Sequence, residues 1–379
     1  DHSGGVGGVG FASSRVDTDF AHVCSPPRTR SSTSPMRCLE GGHLLPRVMR
    51  TCWVLEHPAH VRLLAEYLRN GMTADLIVAC ERPEVRAMLE NGDGRLPRRQ
   101  TLWVPRPVGE GRKRKAVYRI SSVQRFLKAA GQDGQGPVER IVGVGAALEM
   151  MAAKPRWWRR SSVRERWYIT DTEINHLAHR LAMKSATHVV VPTHWRGELD
   201  GGFLASFGGI VHRLDGLHAH VHLVPHRRPS AVSEPPRVVV RRLVGGGVHD
   251  GGELVPIPGD ALDGLAVMTA DENAYEGDPW ALDRELAAHD GVITQSVTLA
   301  SEAVLLGTPT LLISAAERGF LDRLEAEGAP LFRWRGPNCG VEWASIHAQF
   351  LAGLHLTDAL EAAAWPDAKG QLSAWFTTP

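Results

Sequence analysis

The run "THVVVPT" (187–193) sets the first constraint on this chain. Consecutive valines put apolar side chains on both faces of a strand, and such a strand is stable in a parallel sheet covered on both sides. Short apolar runs of this kind recur. "CWVL" (52–55), "DLIVAC" (75–80), "ERIVGVG" (139–145) and "WYITDTE" (167–173) come before it. "RVVVRRL" (237–243), "GLAVMTA" (264–270), "GVIT" (291–294) and "TLLIS" (310–314) come after it. Helical patterns lie between them. In "HVRLLAEYLRNG" (60–71), Val61, Leu64, Ala65 and Leu68 share one face and Asn70-Gly71 supplies a stop. "AVYRISSVQRFLKAAG", "AALEMMAAK", "INHLAHRLAMKSA", "WALDRELAAHD", "LASEAVLLG", "GFLDRLEAEG", "VEWASIHAQFLAGL" and "LTDALEAAAW" read the same way.

Strands alternating with helices predict an α/β protein with parallel sheets. The proline-rich "RRPSAVSEPP" (227–236) reads as a linker. Two doubly wound halves are therefore expected, 49–226 and 237–365, with a cleft between them. Residues 1–48, rich in Gly, Ser, Pro and Arg, cannot bury enough apolar surface to offset chain entropy. They are expected to be a disordered or spurious extension. "GRKRK" (111–115) and the Trp-bearing "KPRWWRRSSVRER" (154–166) read as basic loops, the second suited to an acidic partner or a membrane surface.

The formal net charge of +1 gives no global field for nucleic acid. No apolar run reaches the roughly 18 residues of a membrane span. The five cysteines are scattered, without a C-x-x-C pair, and read as free thiols of a reducing compartment, which points to the cytoplasm.

The stretch "TQSVTLASEAVLLGTPTLLIS" (294–314) carries the most chemistry. Its turn follows a strand, at the carboxyl edge where open α/β sheets bind ligands. Thr298 is read as the N-cap of a short helix, with Gly307 and Thr308-Pro309 as its stop. The amino end of that helix suits a phosphate. Thr298 and Glu302 are four apart and share a face. Glu302 either accepts hydrogen bonds from vicinal hydroxyls, as on a ribose, or is exposed, or meets an arginine. "HAHVH" would put His218, His220 and His222 on one side of an extended chain, a conceivable zinc face, although no carboxylate cluster of metal-site spacing accompanies it.

The segment "GVITQSVTLASEAVLLGTPTLLIS" resembles the "GGTMAxEAALLGTP" segment of a prokaryotic GT-B-like family labelled domain of unknown function 354. More distantly it is similar to UDP-N-acetylglucosamine 2-epimerases and to the lipid-linked transferase of peptidoglycan synthesis. "EHPAHVRLLAEYL", "DTEINHLAHRLAMKSATHVVVP", "RLDGLHAHVHLVP" and "GFLDRLEAEG" match further segments of that family in order. The resemblance implies a GT-B-like fold of two Rossmann-like domains and a nucleotide-sugar donor, with no metal and no resident cofactor. Arg241, Ser296, Thr298 and Glu302 would hold a uridine diphosphate sugar, Glu302 on the ribose and the helix amides on the diphosphate. Where the family has Gly-Gly, Ser296-Val297 stands here and narrows the room for a phosphate. His60 is the candidate general base, with His57 its competitor. Asp171 and Glu173 are candidates to orient an acceptor or to act as base; they equally suit capping of the next helix. The acceptor would be a glycan or a lipid-linked glycan, with peripheral membrane contact through 154–166. Glycosyl transfer, epimerisation of a nucleotide sugar, and a binding module without catalysis all remain open at this point.

Overall fold

The computed structural model describes residues 49–90, 95–107, 109–155, 160–226, 229, 231–244, 254–272, 274–355 and 365–377. The expected extension 1–48, the tryptophans of 154–166 and all but the last residue of the expected helix 356–365 lie outside these.

Seven strands form the first sheet: β1 (Thr51–Leu55), β2 (Leu76–Cys80), β3 (Gln100–Val104), β4 (Arg140–Val144), β5 (Glu165–Ile169), β6 (His188–Pro192) and β7 (Ile210–Leu214). Their order is β3-β2-β1-β4-β5-β6-β7. The second sheet holds β8 (Arg237–Arg241), β9 (Ala266–Thr269), β10 (Gly291–Thr294), β11 (Thr310–Ile313) and β12 (Leu331–Trp334), in the order β12-β11-β10-β8-β9. Every pairing is parallel, as the apolar runs predict. The helices are α1 (Pro58–Asn70), α2 (Pro83–Glu90), α3 (Arg112–Ala130), α4 (Ala147–Ala153), α5 (His176–Met183), α6 (Phe203–Ser206), α7 (His218–His222), α8 (Leu282–Ala288), α9 (Val297–Leu305), α10 (Gly319–Ala326), α11 (Trp343–Gly353) and α12 (Ala368–Thr377).

The runs are apolar throughout because both sheet faces are buried. Cys52 and Val54 of β1 join one core with Val123 and Met150, while Trp53 and Leu55 join another with Leu64 and Phe376. In the second sheet Val239, Val292 and Leu312 face one core, and Val240, Ile293 and Leu311 the other. Cys52, Cys80 and Cys339 are unbridged thiols. Among the described residues no helix is long and apolar enough to cross a membrane.

Four elements depart from the sequence expectation for identifiable reasons. "GRKRK" is not a loop: residues 112–115 are the first turn of α3, preceded by Gly111 at φ 69°. Arg and Lys are good helix formers, but cations at a helix amino end oppose its dipole, so the pattern resembles a loop. β12 carries Arg333 in its middle, bound to Asp322 and Glu325, and this charge interrupts the apolar run. β3 is an edge strand that is largely half-buried. "HAHVH" is one helical turn rather than an extended segment, which separates His220 from the face shared by His218 and His222.

α12 returns the end of the chain to the first sheet. Phe376 meets Trp53, Tyr67 and Trp167 edge-on, with ring centroids 6.0, 5.1 and 5.1 Å apart. Arg140 donates to the Phe376 carbonyl at 2.6 Å. Replacing Phe376 by Ala is expected to cost about 3–5 kcal/mol in urea unfolding. Replacing Lys369, whose pair with Glu66 is exposed, should cost less than about 1 kcal/mol.

Candidate functional site

In a doubly wound sheet the ligand crevice opens where the connections change direction. In the first sheet that point lies at β1, flanked by β2 and β4. In the second it lies at β8, flanked by β9 and β10. The chain leaves β1 through Glu56 and His57 into α1, leaves β8 at Arg241, and leaves β10 through Gln295 and Ser296 into α9. These exits meet. His57 and Arg62 from one half, with Arg241, Ser296, Thr298 and Glu302 from the other, line one cavity of about 30 Å³. That is room for about one water.

Local capping fixes the two helix starts. His57 caps α1, its Nδ1 accepting from Ala59 N at 3.3 Å, and Pro58 fills the first helical position. An imidazole that accepts at Nδ1 carries its proton on Nε2 when neutral. Burial, then the charges of Arg82, His60, Arg241 and Arg62, hold the His57 pKa well below its ordinary value. His57 therefore offers a neutral N–H donor. Before it, Glu56 is anchored by Arg119 of α3, which also grips the buried Glu149 of α4. On α9 the cap is Ser296, whose Oγ accepts from Leu299 N at 3.3 Å; Thr298, expected in that role, lies inside the helix.

Glu302 is fully buried, one turn after Thr298 on the cavity side of α9. Arg62 Nη2 reaches its two oxygens at 2.8 and 2.7 Å, and His222 Nε2 stands 3.3 Å from Oε1. Burial would raise this carboxyl's pKa, but Arg62 and His222 outweigh it and hold it at about 2. Of the roles the sequence left open for Glu302, the arginine partner is the one present here. The pair joins the two halves, and further pairs follow the same sense: Arg82 with Glu272 at 3.0 Å, Arg95 with Asp278 at 2.7 Å, Arg196 with Asp322 at 3.0 Å. In each, the arginine belongs to the first half and the carboxylate to the second.

No family model matches the sequence, and no curated protein matches it. Solved structures do. One is a putative UDP-N-acetylglucosamine 2-epimerase from Listeria monocytogenes, with a TM-score of 0.56 at 10% identity over 87% of this chain and 95% of that one. Another is the S. aureus MnaA-UDP co-structure, with a TM-score of 0.56 at 10% identity over 86% and 95%. A third is the UDP-GlcNAc 2-epimerase from Neisseria meningitidis bound to UDP-GlcNAc, with a TM-score of 0.50 at 10% identity over 86% and 99%.

The fold is GT-B-like. At this identity the likeness is one of architecture, which UDP-sugar glycosyltransferases and 2-epimerases share.

Within this GT-B-like cleft the residues singled out from the sequence separate into two groups. Arg241, Ser296, Thr298 and Glu302 come together around the cavity. His60, Asp171 and Glu173 are not among its lining residues. His60 Nδ1 accepts from Glu56 N at 3.4 Å, so taking up a proton at Nδ1 requires that contact to be exchanged. Asp171 lies 3.3 Å from His218 Nδ1. Burial pushes its pKa up, yet His218, Arg318 and Thr172 hold it well below the carboxylate range. Glu173 accepts from Gly319 N at 2.9 Å and from Arg196 N at 3.3 Å, so it caps the start of α10 from the other half. Burial raises its pKa. Neither carboxylate caps the following α5, whose cap is Asn175. Among the described residues no group of His, Cys, Asp and Glu is arranged to hold a metal.

Arg62 was not anticipated. It sits beside the apolar stripe of α1 and looks in sequence like an ordinary solvated helix residue; only the opposing buried carboxylate reveals its role. His222 stands on a helical turn where the sequence suggests an extended segment, and the sequence offers His57 only as an alternative to His60.

Arg62→Ala strands a buried carboxylate and is expected to lower stability by about 3–5 kcal/mol in denaturant unfolding. Glu302 has a folded pKa of about 2 against an ordinary 4.5. Its stabilising contribution is complete above that ordinary value and is lost as pH falls through the folded one. Glu302→Gln should therefore flatten the stability–pH curve across that interval.

Proposed function

We propose that this chain binds a nucleotide sugar, most simply a uridine diphosphate sugar, in its cleft and acts as a metal-independent glycosyltransferase. One observation carries the reading: Arg241, Ser296, Thr298 and Glu302 converge on a single cavity at the switch points of both sheets. In this assignment the amino end of α9 and Arg241 take the diphosphate, and Glu302 takes the ribose hydroxyls. Thr298 adds a hydroxyl on the same face. His57 contributes a neutral donor rather than a base. His60 is the base toward an acceptor hydroxyl, a glycan or a lipid-linked glycan, once its Nδ1 gives up Glu56 N.

A nucleotide sugar needs a site of several hundred Å³. The cavity of about 30 Å³ therefore has to widen by separation of the two halves as donor enters. The leaving diphosphate is stabilised by helix amides and guanidinium, so the transfer step needs no metal of its own.

Calorimetry with UDP and UDP-sugars tests the assignment. UDP is expected to bind the wild type, and Arg241→Ala to weaken it by roughly 10–100-fold, the range of a lost charged hydrogen bond. No heat with any nucleotide would remove the reading. Product analysis then separates the chemistries: a transferred sugar supports the transferase, an epimerised nucleotide sugar supports an epimerase, and binding without turnover supports a module that has lost catalysis. For a transferase, His60→Ala should lower kcat much more than donor affinity. Activity should persist in chelator.

A further inference from the structure

Arg62 holds more donors than Glu302 uses. A single nitrogen, Nη2, serves both carboxylate oxygens, whereas a guanidinium fork normally engages a carboxylate through two. Nε and Nη1 are buried without a hydrogen-bond partner among the described residues, in a residue only 9% exposed. A buried unpartnered donor is costly. Arg62 lines the cavity, and Arg241, also buried, lines it from the opposite half while giving Nη1 to the Ala270 carbonyl at 3.0 Å. Two buried guanidiniums from two halves thus border the same small space, with a carboxylate of the chain lying against one of them.

We propose that Glu302 is an internal stand-in for an anionic ligand, and that a nucleoside diphosphate entering the cleft displaces its carboxylate from Arg62. The diphosphate then takes Arg62 together with Arg241. The released Glu302 turns to the ribose hydroxyls. The same exchange breaks a buried link between the halves, so binding and widening of the cleft are one event. The inference rests on the nucleotide-sugar reading and adds to it a residue of the first half, Arg62, and a resting state that binds donor weakly. Such a state lowers apparent affinity by the fraction of molecules that have let go of the pair.

Inorganic pyrophosphate and UDP, titrated by calorimetry into the full chain, test it. Pyrophosphate has no ribose, so Glu302→Gln removes a competitor and no contact. Its affinity should rise about tenfold or more. UDP should gain less, because the same substitution weakens the ribose contact. Arg62→Lys, which keeps a charge beside Glu302 but lacks Nε and Nη1, is expected to weaken UDP by about tenfold; this variant decides the matter if Glu302→Gln does not fold. Equal pyrophosphate affinity in wild type and Glu302→Gln, or unchanged UDP affinity in Arg62→Lys, overturns the exchange while leaving a UDP-binding cleft in place. A pyrophosphate gain in Glu302→Gln without any UDP binding upholds the exchange and removes the nucleotide. No binding of either probe by any variant overturns both.

Discussion

The ion pair between Arg62 and Glu302 is the contact on which the cleft depends. It is buried, it spans two sheets, and it ties the first helix after β1 to the helix after β10. A pair of this kind adds little net stability compared with apolar packing, because both ions give up hydration. What it does add is register. Each ion is costly without the other, so the two halves have one favoured seating, and that seating sets Arg241, Ser296 and Thr298 around a common space.

The outer pairs repeat the same polarity. Arg82, Arg95 and Arg196 on one rim meet Glu272, Asp278 and Asp322 on the other. A chain with a formal net charge of +1 conceals this division, since the excess on one rim cancels the excess on the other. Arg95–Asp278 and Arg196–Asp322 are exposed enough to be screened by salt, whereas Arg82–Glu272 is nearly as buried as Arg62–Glu302.

Much of this architecture was legible in sequence because burial on both faces leaves an unmistakable run of apolar residues, as at 188–192 and 237–241. Elements with one exposed side, or with a charge bound in tertiary structure, were not. β12 is hidden by Arg333, and the start of α3 by four cations whose helical state is decided by context. For the site, Thr298 and Glu302 were legible together because four-residue spacing along a helix fixes their shared face, and Ser296 because it stands at the turn before that helix. Arg62 was not, because its partner lies 240 residues away and no local pattern records it. Asp171 and Glu173 show the converse: carboxylates at a strand's carboxyl end look catalytic in sequence, yet one lies against His218 and the other caps α10.

That cap has a consequence of its own. Glu173 reaches the amide of Gly319, and a Cβ on Gly319 would overlap the carbonyl oxygen of His194. Main chain lies against main chain at this spot, with the Arg196 side chain alongside. Separating the halves at this spot would break the Glu173 bond, so the contact fixes how near the start of α10 lies to the segment after β6. How closely the two halves approach here is set by the smallest side chain in the contact.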